Sequence, residues 1–223
     1  MKPTLKTSSI ALCFSLLISS FAAAEPANPA WTALKLADFH SNGRTDLQPD
    51  SWIEKDGVIS WVKNGAHDLL SQKSYGDFEL ELEWNIVEAG NSGIFFRGDS
   101  TSNPYYKTAM EMQVLDNVKA SDSKQANHIA GSLYDLIAAP ATAAKPAGEW
   151  NKARIRCKGK HVETWLNDVK TSDIEIGSEA WIEVLNKSKF KTWQGFATSP
   201  SGPIGLQDHN NGVSFRSIRI REL

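Results

Sequence analysis

The feature that most constrains this chain is the two-residue alternation of apolar and polar side chains in short segments separated by turn residues. This period predicts strands with one buried face, and turns rich in Gly, Asn, Asp and Ser favour antiparallel pairing. The pattern occupies residues 79–85, 94–97, 110–115, 152–156, 161–166, 204–207 and 213–221, and the Gly-rich residues 90–93 are predicted as a turn. With about ten to twelve strands and one short helical candidate at 180–185, we expect an all-β, antiparallel β-sandwich of the jelly-roll type.

The first 24 residues have the order of a secretory signal peptide. Lys2 and Lys6 form a basic start, residues 10–18 are an apolar run, and three alanines precede Glu25. The apolar run is too short to cross a bilayer as a helix. We therefore expect cleavage near Ala24 and export to the periplasm or the medium, with residues 25–223 as a single domain.

Loss of this segment leaves Cys157 as the one cysteine, so the fold cannot depend on an intramolecular disulfide and must be held by one large core. Cys157 lies in an alternating segment, where a buried small side chain is the usual role. The formal net charge is −2, and no basic cluster is present, which excludes nucleic acid as an expected partner. No second apolar stretch has membrane-spanning length, so no membrane span is expected.

The segment 110–116 (MEMQVLD) is the strand with the most chemical content. Alternation places Glu111 and Gln113 on one face and the apolar residues 110, 112 and 114 on the other. Asp116 ends the segment, where a bend could turn it inward. The polar face is either the floor of a binding cleft or a solvent-facing stripe.

The eight tryptophans have two possible roles. Aromatic side chains dominate protein cores by area, and Trp84 and Trp165 lie in strand-like segments that suit this role. An indole face also packs well against the C–H groups of a pyranose. Trp150 and Trp193 lie beside loops and are the better candidates for sugar stacking.

From residue 75 onward the chain resembles the 3-keto-disaccharide hydrolases, a bacterial family. The resemblance rests on an ordered set of segments with family-like spacing: 75–80 (YGDFEL), 91–97 (NSGIFFR), 111–117 (EMQVLDN), 130–135 (AGSLYD), 148–151 (GEWN), 167–169 (NDV), 202–209 (GPIGLQDH) and 213–219 (VSFRSIR). It implies a jelly roll of the concanavalin A-like or glucanase-like type, and cleavage of glycosides whose sugar carries a ketone at C3. One departure is local: the family has Gly after His209, whereas residues 210–212 here are Asn-Asn-Gly.

A C3 ketone acidifies the C2–H, so a base can form an enolate that expels the C1 substituent, after which water adds at C1. Such a site needs a base, a donor to the enolate oxygen and an acid for the leaving group. With the resemblance, the catalytic candidates are Glu111, His209 and Asp116. His209 or Glu111 would be the base, and Asp116 or Glu111 the acid.

Six further residues are candidates for substrate binding by amide, hydroxyl, guanidinium or aromatic contact: Arg97, Gln113, Tyr134, Gln207, Trp150 and Trp193. No cofactor is identified with certainty, but a divalent cation such as Ca²⁺ is an alternative. Its oxygen and imidazole ligands would be Asp116, Asp208, His209 and Glu111.

Two other functions fit the same fold. A non-catalytic carbohydrate-binding module would bind unmodified glycans without turnover. A conventional glycoside hydrolase would cleave unoxidised sugars. The resemblance adds one partner, an oxidoreductase of the same pathway that makes the 3-keto sugar.

Overall fold

The structure, a computed structural model, describes Met1 and residues 29–63, 65 and 67–223. The apolar run and the cleavage site of the predicted signal peptide lie outside this part of the chain. None of the helices within the described residues is long and apolar enough to cross a membrane.

Thirteen strands and one α-helix are found in the described residues. In chain order the strands are β1 (Thr32–Ala33), β2 (Phe39–Ser41), β3 (Trp52–Lys55), β4 (Val58–Trp61), β5 (Leu69–Tyr75), β6 (Phe78–Ile86), β7 (Asn91–Phe96), β8 (Met110–Leu115), β9 (Asn151–Lys158), β10 (His161–Leu166), β11 (Val169–Glu175), β12 (Gly202–Leu206) and β13 (Val213–Glu222). The helix α1 (Glu179–Lys187) lies between β11 and β12, where the short helical candidate was predicted.

The strands form two antiparallel sheets that pack face to face. The larger sheet has the order β11-β10-β9-β6-β13-β4-β3, with β1 also paired to β13. The smaller sheet has the order β2-β5-β12-β7-β8. Alternation in β6 buries Phe78, Leu80, Leu82 and Trp84 at the interface, each at most 1% exposed. The predicted all-β antiparallel sandwich is confirmed.

The predicted turn at residues 90–93 is wrong in its position, since β7 already begins at Asn91. Gly93 lies inside the strand, opposite Gln113 of β8. A Cβ at position 93 would lie 2.7 Å from the carboxyl carbon of Glu111, so the glycine makes room for that side chain. A glycine within a strand often marks such a close approach rather than a turn.

Glutamates of β6 pair with arginines on the outer face of the larger sheet. Glu79 is 4% exposed and accepts from Arg154 at 3.4 Å and from Arg221 Nε at 3.0 Å. Glu81 pairs with Arg219, whose side chain is 50% exposed. The Glu79–Arg221 pair is therefore shielded from water, whereas the Glu81–Arg219 pair is open to it.

This difference predicts that Glu79→Ala lowers the free energy of unfolding by about 3 kcal/mol, because it leaves a shielded arginine without its partner. Glu81→Ala, on the same strand and face, should cost about 1 kcal/mol or less. Urea unfolding of both variants measures the difference. Equal losses would contradict the distinction between the two pairs.

Candidate functional site

The register of the smaller sheet arranges side chains in two rows across its outer face. The first row is His40, Leu70, Gly205, Phe95 and Glu111. The second, here called the polar row, is Asn42, Asp68, Gln207, Gly93 and Gln113. The intervening residues point into the core, as Leu69, Ile94, Met112 and Leu206 do. The predicted division of the strand at 110–115 into a polar and an apolar face is confirmed.

A cavity of about 470 Å³ lies over the polar row and the Glu111 end of the first row. Its floor includes Glu111, Gln113 and Gln207. Four connecting segments supply its walls, with Asn103, Pro104, Tyr106 and Ala109 in the first, Asp122 and Tyr134 in the second, Lys189, Phe190 and Trp193 in the third, and Asp208 and His209 in the fourth. The cavity is thus a cleft floored by strands and walled by loops, which suits a ligand the size of a sugar.

Glu111 is the central ionisable group of the floor. Its half-buried carboxyl lies over Gly93, and removal from water raises its pKa to about 8. The positive charge of Lys189 opposes this rise, whereas the negative charges of Asp68 and Asp122 add to it. A carboxyl group with such a pKa exists in both protonation states near neutral pH, which is the condition for acid or base catalysis.

Amide groups lie beside this carboxyl. Gln113 is 1% exposed, and neither its amide nitrogen nor its amide oxygen has a hydrogen-bond partner among the described residues. The amide oxygen of Gln207 is likewise buried without a partner there. Buried amides nearly always have hydrogen-bond partners, so these groups are suited to meet hydroxyl or carbonyl groups of a ligand.

A hydrogen-bonded network supports the part of the cavity wall that Asp122, Tyr134 and Lys189 form. The two ring nitrogens of buried His128 lie 2.7 Å from Asp122 Oδ1 and 3.1 Å from Asp135 Oδ1. Tyr134 donates its hydroxyl to Asp122 Oδ2 at 3.0 Å, and the backbone N–H of Lys189 donates to Asp135 Oδ2 at 2.8 Å. His128 therefore links the two carboxyl groups through its two ring nitrogens. The network fixes both Tyr134 and Lys189 at the cavity.

Aromatic rings form part of the same wall. Trp193 packs on Tyr106 with ring centroids 6.0 Å apart and on Phe190 at 5.1 Å. Lys189 Nζ lies 4.3 Å from the ring centroid of Tyr134. The structure therefore places two of the three aromatic candidates from the sequence, Tyr134 and Trp193, at the cavity.

The segment that follows β12 closes one end of the cavity. Asp208 accepts from Trp61 Nε1 at 2.8 Å, and its own N–H donates to Asp68 Oδ1 at 2.9 Å. Burial, with a further contribution from the charge of Asp208, raises the pKa of Asp68 to about 6. His209 follows as an exposed side chain at the rim of the cavity.

Three predicted site residues lie elsewhere. Asp116 accepts from the backbone N–H groups of Ala89 and Val118 at 2.8 and 3.0 Å, so its carboxylate stabilises a turn. Arg97 donates to the carbonyls of Gly159 and Pro200 at 2.7 and 3.0 Å. Trp150 stacks under a guanidinium: the Cζ of Arg216 is 4.0 Å from its ring centroid. None of the three lines the cavity.

The structure also separates the predicted metal ligands. Glu111, Asp208 and His209 line the cavity, whereas Asp116 does not. In the described part of the chain, the ligand atoms that come within 4.8 Å of one another belong to another set, His161, Glu163 and Asp173. That set lies on β10 and β11 at the edge of the larger sheet, where Lys170 Nζ already contacts Glu163 at 2.7 Å.

Sequence reasoning missed Lys189, Asp122 and Asp68. Each lies in a connecting segment with no alternation to mark its orientation, and only the folded chain brings it to the cavity. The one available signal was the placement of Lys189 between the helical candidate at 180–185 and Trp193, four residues from each.

Comparisons with known proteins show the family of the chain and its fold. The profile of the 3-keto-alpha-glucoside-1,2-lyase-like domain matches residues 30–221. A 3-keto-disaccharide hydrolase from Bacteroides thetaiotaomicron is 34% identical over an alignment of 209 residues, and the match covers 80% of this chain and 72% of that protein. A Parabacteroides distasonis protein assigned as a glycosyl hydrolase superposes with a TM-score of 0.76 at 25% identity, covering 84% of this chain and 89% of its own.

A more distant structure shows the breadth of the fold. Carbohydrate-binding module CBM66 from Bacillus subtilis superposes with a TM-score of 0.53 at 13% identity, covering 83% of this chain and 96% of its own. The sheet architecture alone is therefore common to binding and hydrolytic proteins. By its sequence match, the chain belongs to the 3-keto-disaccharide hydrolase family and is a glycosidase-type hydrolase.

Proposed function

We propose that the cavity cleaves 3-keto-glycosides by eliminating the leaving group across C2 and C1 and then adding water at C1. The observation that carries this proposal is the position of Glu111, a carboxyl with a pKa of about 8 on the cleft floor. It lies beside the buried amide of Gln113, which has no hydrogen-bond partner in the described part of the chain. A base of this strength suits removal of a proton next to a ketone. The family description, which names a 1,2-lyase-like domain, supports the same reaction.

Glu111 acts as the base in this scheme. Its carboxylate takes the C2 proton, and the electron pair of that bond forms the C2=C3 enolate. Collapse of the enolate restores the C3 ketone, forms the C1=C2 double bond and expels the oxygen of the leaving group. Because Gly93 lacks a side chain, the carboxylate can lie close to the sheet and leave space above it for the sugar ring.

The enolate oxygen is best stabilised by hydrogen-bond donors that already point at it, because such donors need not reorganise during the reaction. The amide nitrogen of Gln113 is buried and uncommitted within the described chain, and Lys189 brings a positive charge to the same cavity. Gln113 and Lys189 are therefore the enolate donors of this scheme, whereas Arg97, a substrate-binding candidate from the sequence, donates to backbone carbonyls outside the cavity. A cation near the enolate stabilises the negative charge that develops on C3 oxygen.

His209 is a further proton carrier at the cavity. At the rim it can protonate the departing oxygen and then accept a proton from the water that attacks C1. Before hydration, the carboxyl group of Glu111 exchanges its proton with the water that enters the cavity. It then delivers a solvent-derived proton to C2 as the enolate formed by water addition collapses. Elimination and hydration together give two free sugars, one of them a 3-keto sugar.

Paired substrates test the proposal. We expect turnover of 3-keto-trehalose or 3-keto-lactose and no turnover of trehalose or lactose under the same conditions, since the unoxidised sugars lack an acidic C2–H. Cleavage of the unoxidised parents at equal rates would identify a conventional glycoside hydrolase. Binding of unmodified glycans without turnover of any substrate would identify a binding module.

Parallel reactions with a chelator test the divalent cation expected from sequence. Activity that is lost on chelation and restored by Ca²⁺ would support a catalytic divalent cation, and unchanged activity would exclude one.

The proposal also requires a supply of substrate oxidised at C3, which is the task of an oxidoreductase acting on the same sugars.

A further inference from the structure

Lys189 lies at the cavity with its positive charge against aromatic rings. Its Nζ is 4.3 Å from the ring centroid of Tyr134, 5.2 Å from that of Phe190 and 5.6 Å from that of Trp193. A contact between a cation and a ring face holds an ammonium group less firmly than a hydrogen-bonded ion pair does. The position of the Lys189 charge therefore depends on what fixes the backbone of this residue and the rings around it.

The backbone of Lys189 is fixed by a carboxyl group from another segment. Lys189 is the first residue of a short 3₁₀ helix, Lys189–Thr192, and the first N–H groups of a helix have no partner within it. Asp135, which lies 54 residues earlier in the chain, accepts this N–H through Oδ2 at 2.8 Å. This hydrogen bond joins the segment of Lys189 to the segment that contains Tyr134.

The other oxygen of Asp135 is connected to the ring that Lys189 contacts. Asp135 Oδ1 is 3.1 Å from Nε2 of His128, which is 6% exposed, and Nδ1 of His128 is 2.7 Å from Asp122 Oδ1. Asp122 Oδ2 accepts the hydroxyl of Tyr134 at 3.0 Å. The network is therefore closed, because one end fixes the backbone of Lys189 and the other end fixes the ring nearest to its charge.

From this closed network we infer that His128 and Asp135 are positioning residues for the reaction and that they act through Lys189. Neither of them lines the cavity, so neither touches the substrate. The inference rests on the proposed function, in which the Lys189 ammonium stabilises the negative charge that develops on the C3 oxygen. This stabilisation requires a charge that is already in place, and a displacement of about 1 Å can lower a rate about 10²-fold.

Asp135→Asn tests the inference, because the amide keeps the shape of the side chain but its single oxygen cannot accept from both Lys189 and His128. We expect kcat on a 3-keto-disaccharide, per folded molecule, to fall about tenfold with KM little changed. His128→Asn, whose shorter side chain loses the contact with Asp135, should give a similar loss. Circular dichroism during thermal unfolding measures the folded fraction, which separates the loss of rate from a loss of stability.

Lys189→Met provides the readout that a purely structural role of the network would not change. Loss of the ammonium group should lower kcat about 10²-fold. In the Lys189→Met background, Asp135→Asn and His128→Asn should each cost less than about twofold in kcat, because the group that they position is absent.

Asp77→Asn is the matched control. Asp77 Oδ1 accepts the backbone N–H of Gly159, in a distant segment, at 2.8 Å, and neither residue lines the cavity. The control should leave kcat per folded molecule unchanged in both backgrounds.

Three outcomes would overturn the inference: a wild-type kcat in both Asp135→Asn and His128→Asn, a wild-type kcat in Lys189→Met, or losses from the first two substitutions that persist in full without the lysine. Failure of the wild type to cleave any 3-keto substrate would instead refute the proposed function itself.

Discussion

Glu111→Gln is expected to lower kcat on a 3-keto-disaccharide by about 10²- to 10³-fold while making the folded protein more stable. The loss of rate follows because the amide cannot take the C2 proton. The gain in stability follows because the cavity raises the pKa of Glu111 to about 8, so the fold disfavours its charged form.

The pH dependence of stability has a definite direction. Between the ordinary value of 4.5 and about 8, Glu111 is protonated in the folded chain and ionised in the unfolded chain. Unfolding therefore releases a proton, and the stability of the wild type falls as pH rises through this window. The advantage of Glu111→Gln should grow from pH 4.5 and level off above pH 8, on the order of 1–3 kcal/mol after discounting for the open mouth of the cavity.

The pH dependence of rate follows from the same group. If the carboxylate is the base, kcat/KM of the wild type rises with pH and levels off above about 8. A rate that falls above pH 8 would instead make Glu111 the acid. Thermal unfolding and pH–rate profiles of the two proteins measure both effects.

Asp116→Asn is the control for this substitution. Asp116 follows the same strand but binds the backbone N–H groups of Ala89 and Val118 outside the cavity. The variant should keep its rate per folded molecule and lose about 1 kcal/mol of stability, because one amide oxygen cannot accept both bonds as well. A stable Asp116→Asn with lost activity would contradict the placement of Asp116 in a structural turn.

Gly93→Ala is expected to lower kcat by about 10- to 100-fold with little change in substrate affinity. The added Cβ would lie 2.7 Å from the carboxyl carbon of Glu111 and 2.9 Å from its Cγ, so the side chain must move. A displaced base loses alignment with the C2–H. Steady-state kinetics of the variant on a 3-keto-disaccharide give the split between kcat and KM.

Two comparisons isolate this effect. Gly76→Ala adds a Cβ whose nearest contact is the Pro200 carbonyl at 3.4 Å, and it should leave kcat unchanged. In a Glu111→Gln background, Gly93→Ala should cost little further rate, because both substitutions act through the same carboxyl. Fully additive losses would show that Gly93 affects the rate by another route.

The orientation of the side chains on the cavity floor was predictable from sequence, because they lie on regular strands. Alternation determines which side chains share a face, and it correctly placed Glu111 and Gln113 opposite the buried methionines. Leu206 and Gln207 followed the same rule. Where the strand geometry continues, the orientation of a side chain follows from parity alone.

Beyond the ends of the strands, alternation does not determine where a side chain points. Arg97 follows β7 with φ of +55°, and this backbone conformation directs its guanidinium to carbonyls of two other segments. Asp116 follows β8, and the turn that it stabilises determines its direction. Lys189 and Asp122 reach the cavity through tertiary packing of loops, which no local pattern encodes.

The most direct test of the account is the position of deuterium after turnover in D₂O. Elimination followed by hydration predicts one deuterium at C2 of the 3-keto sugar released from a 3-keto-disaccharide, above the slow exchange of that sugar incubated without enzyme. Glu111→Gln should lose this incorporation along with turnover. Rapid cleavage with hydrogen retained at C2 would contradict the elimination and the role of Glu111 as its base.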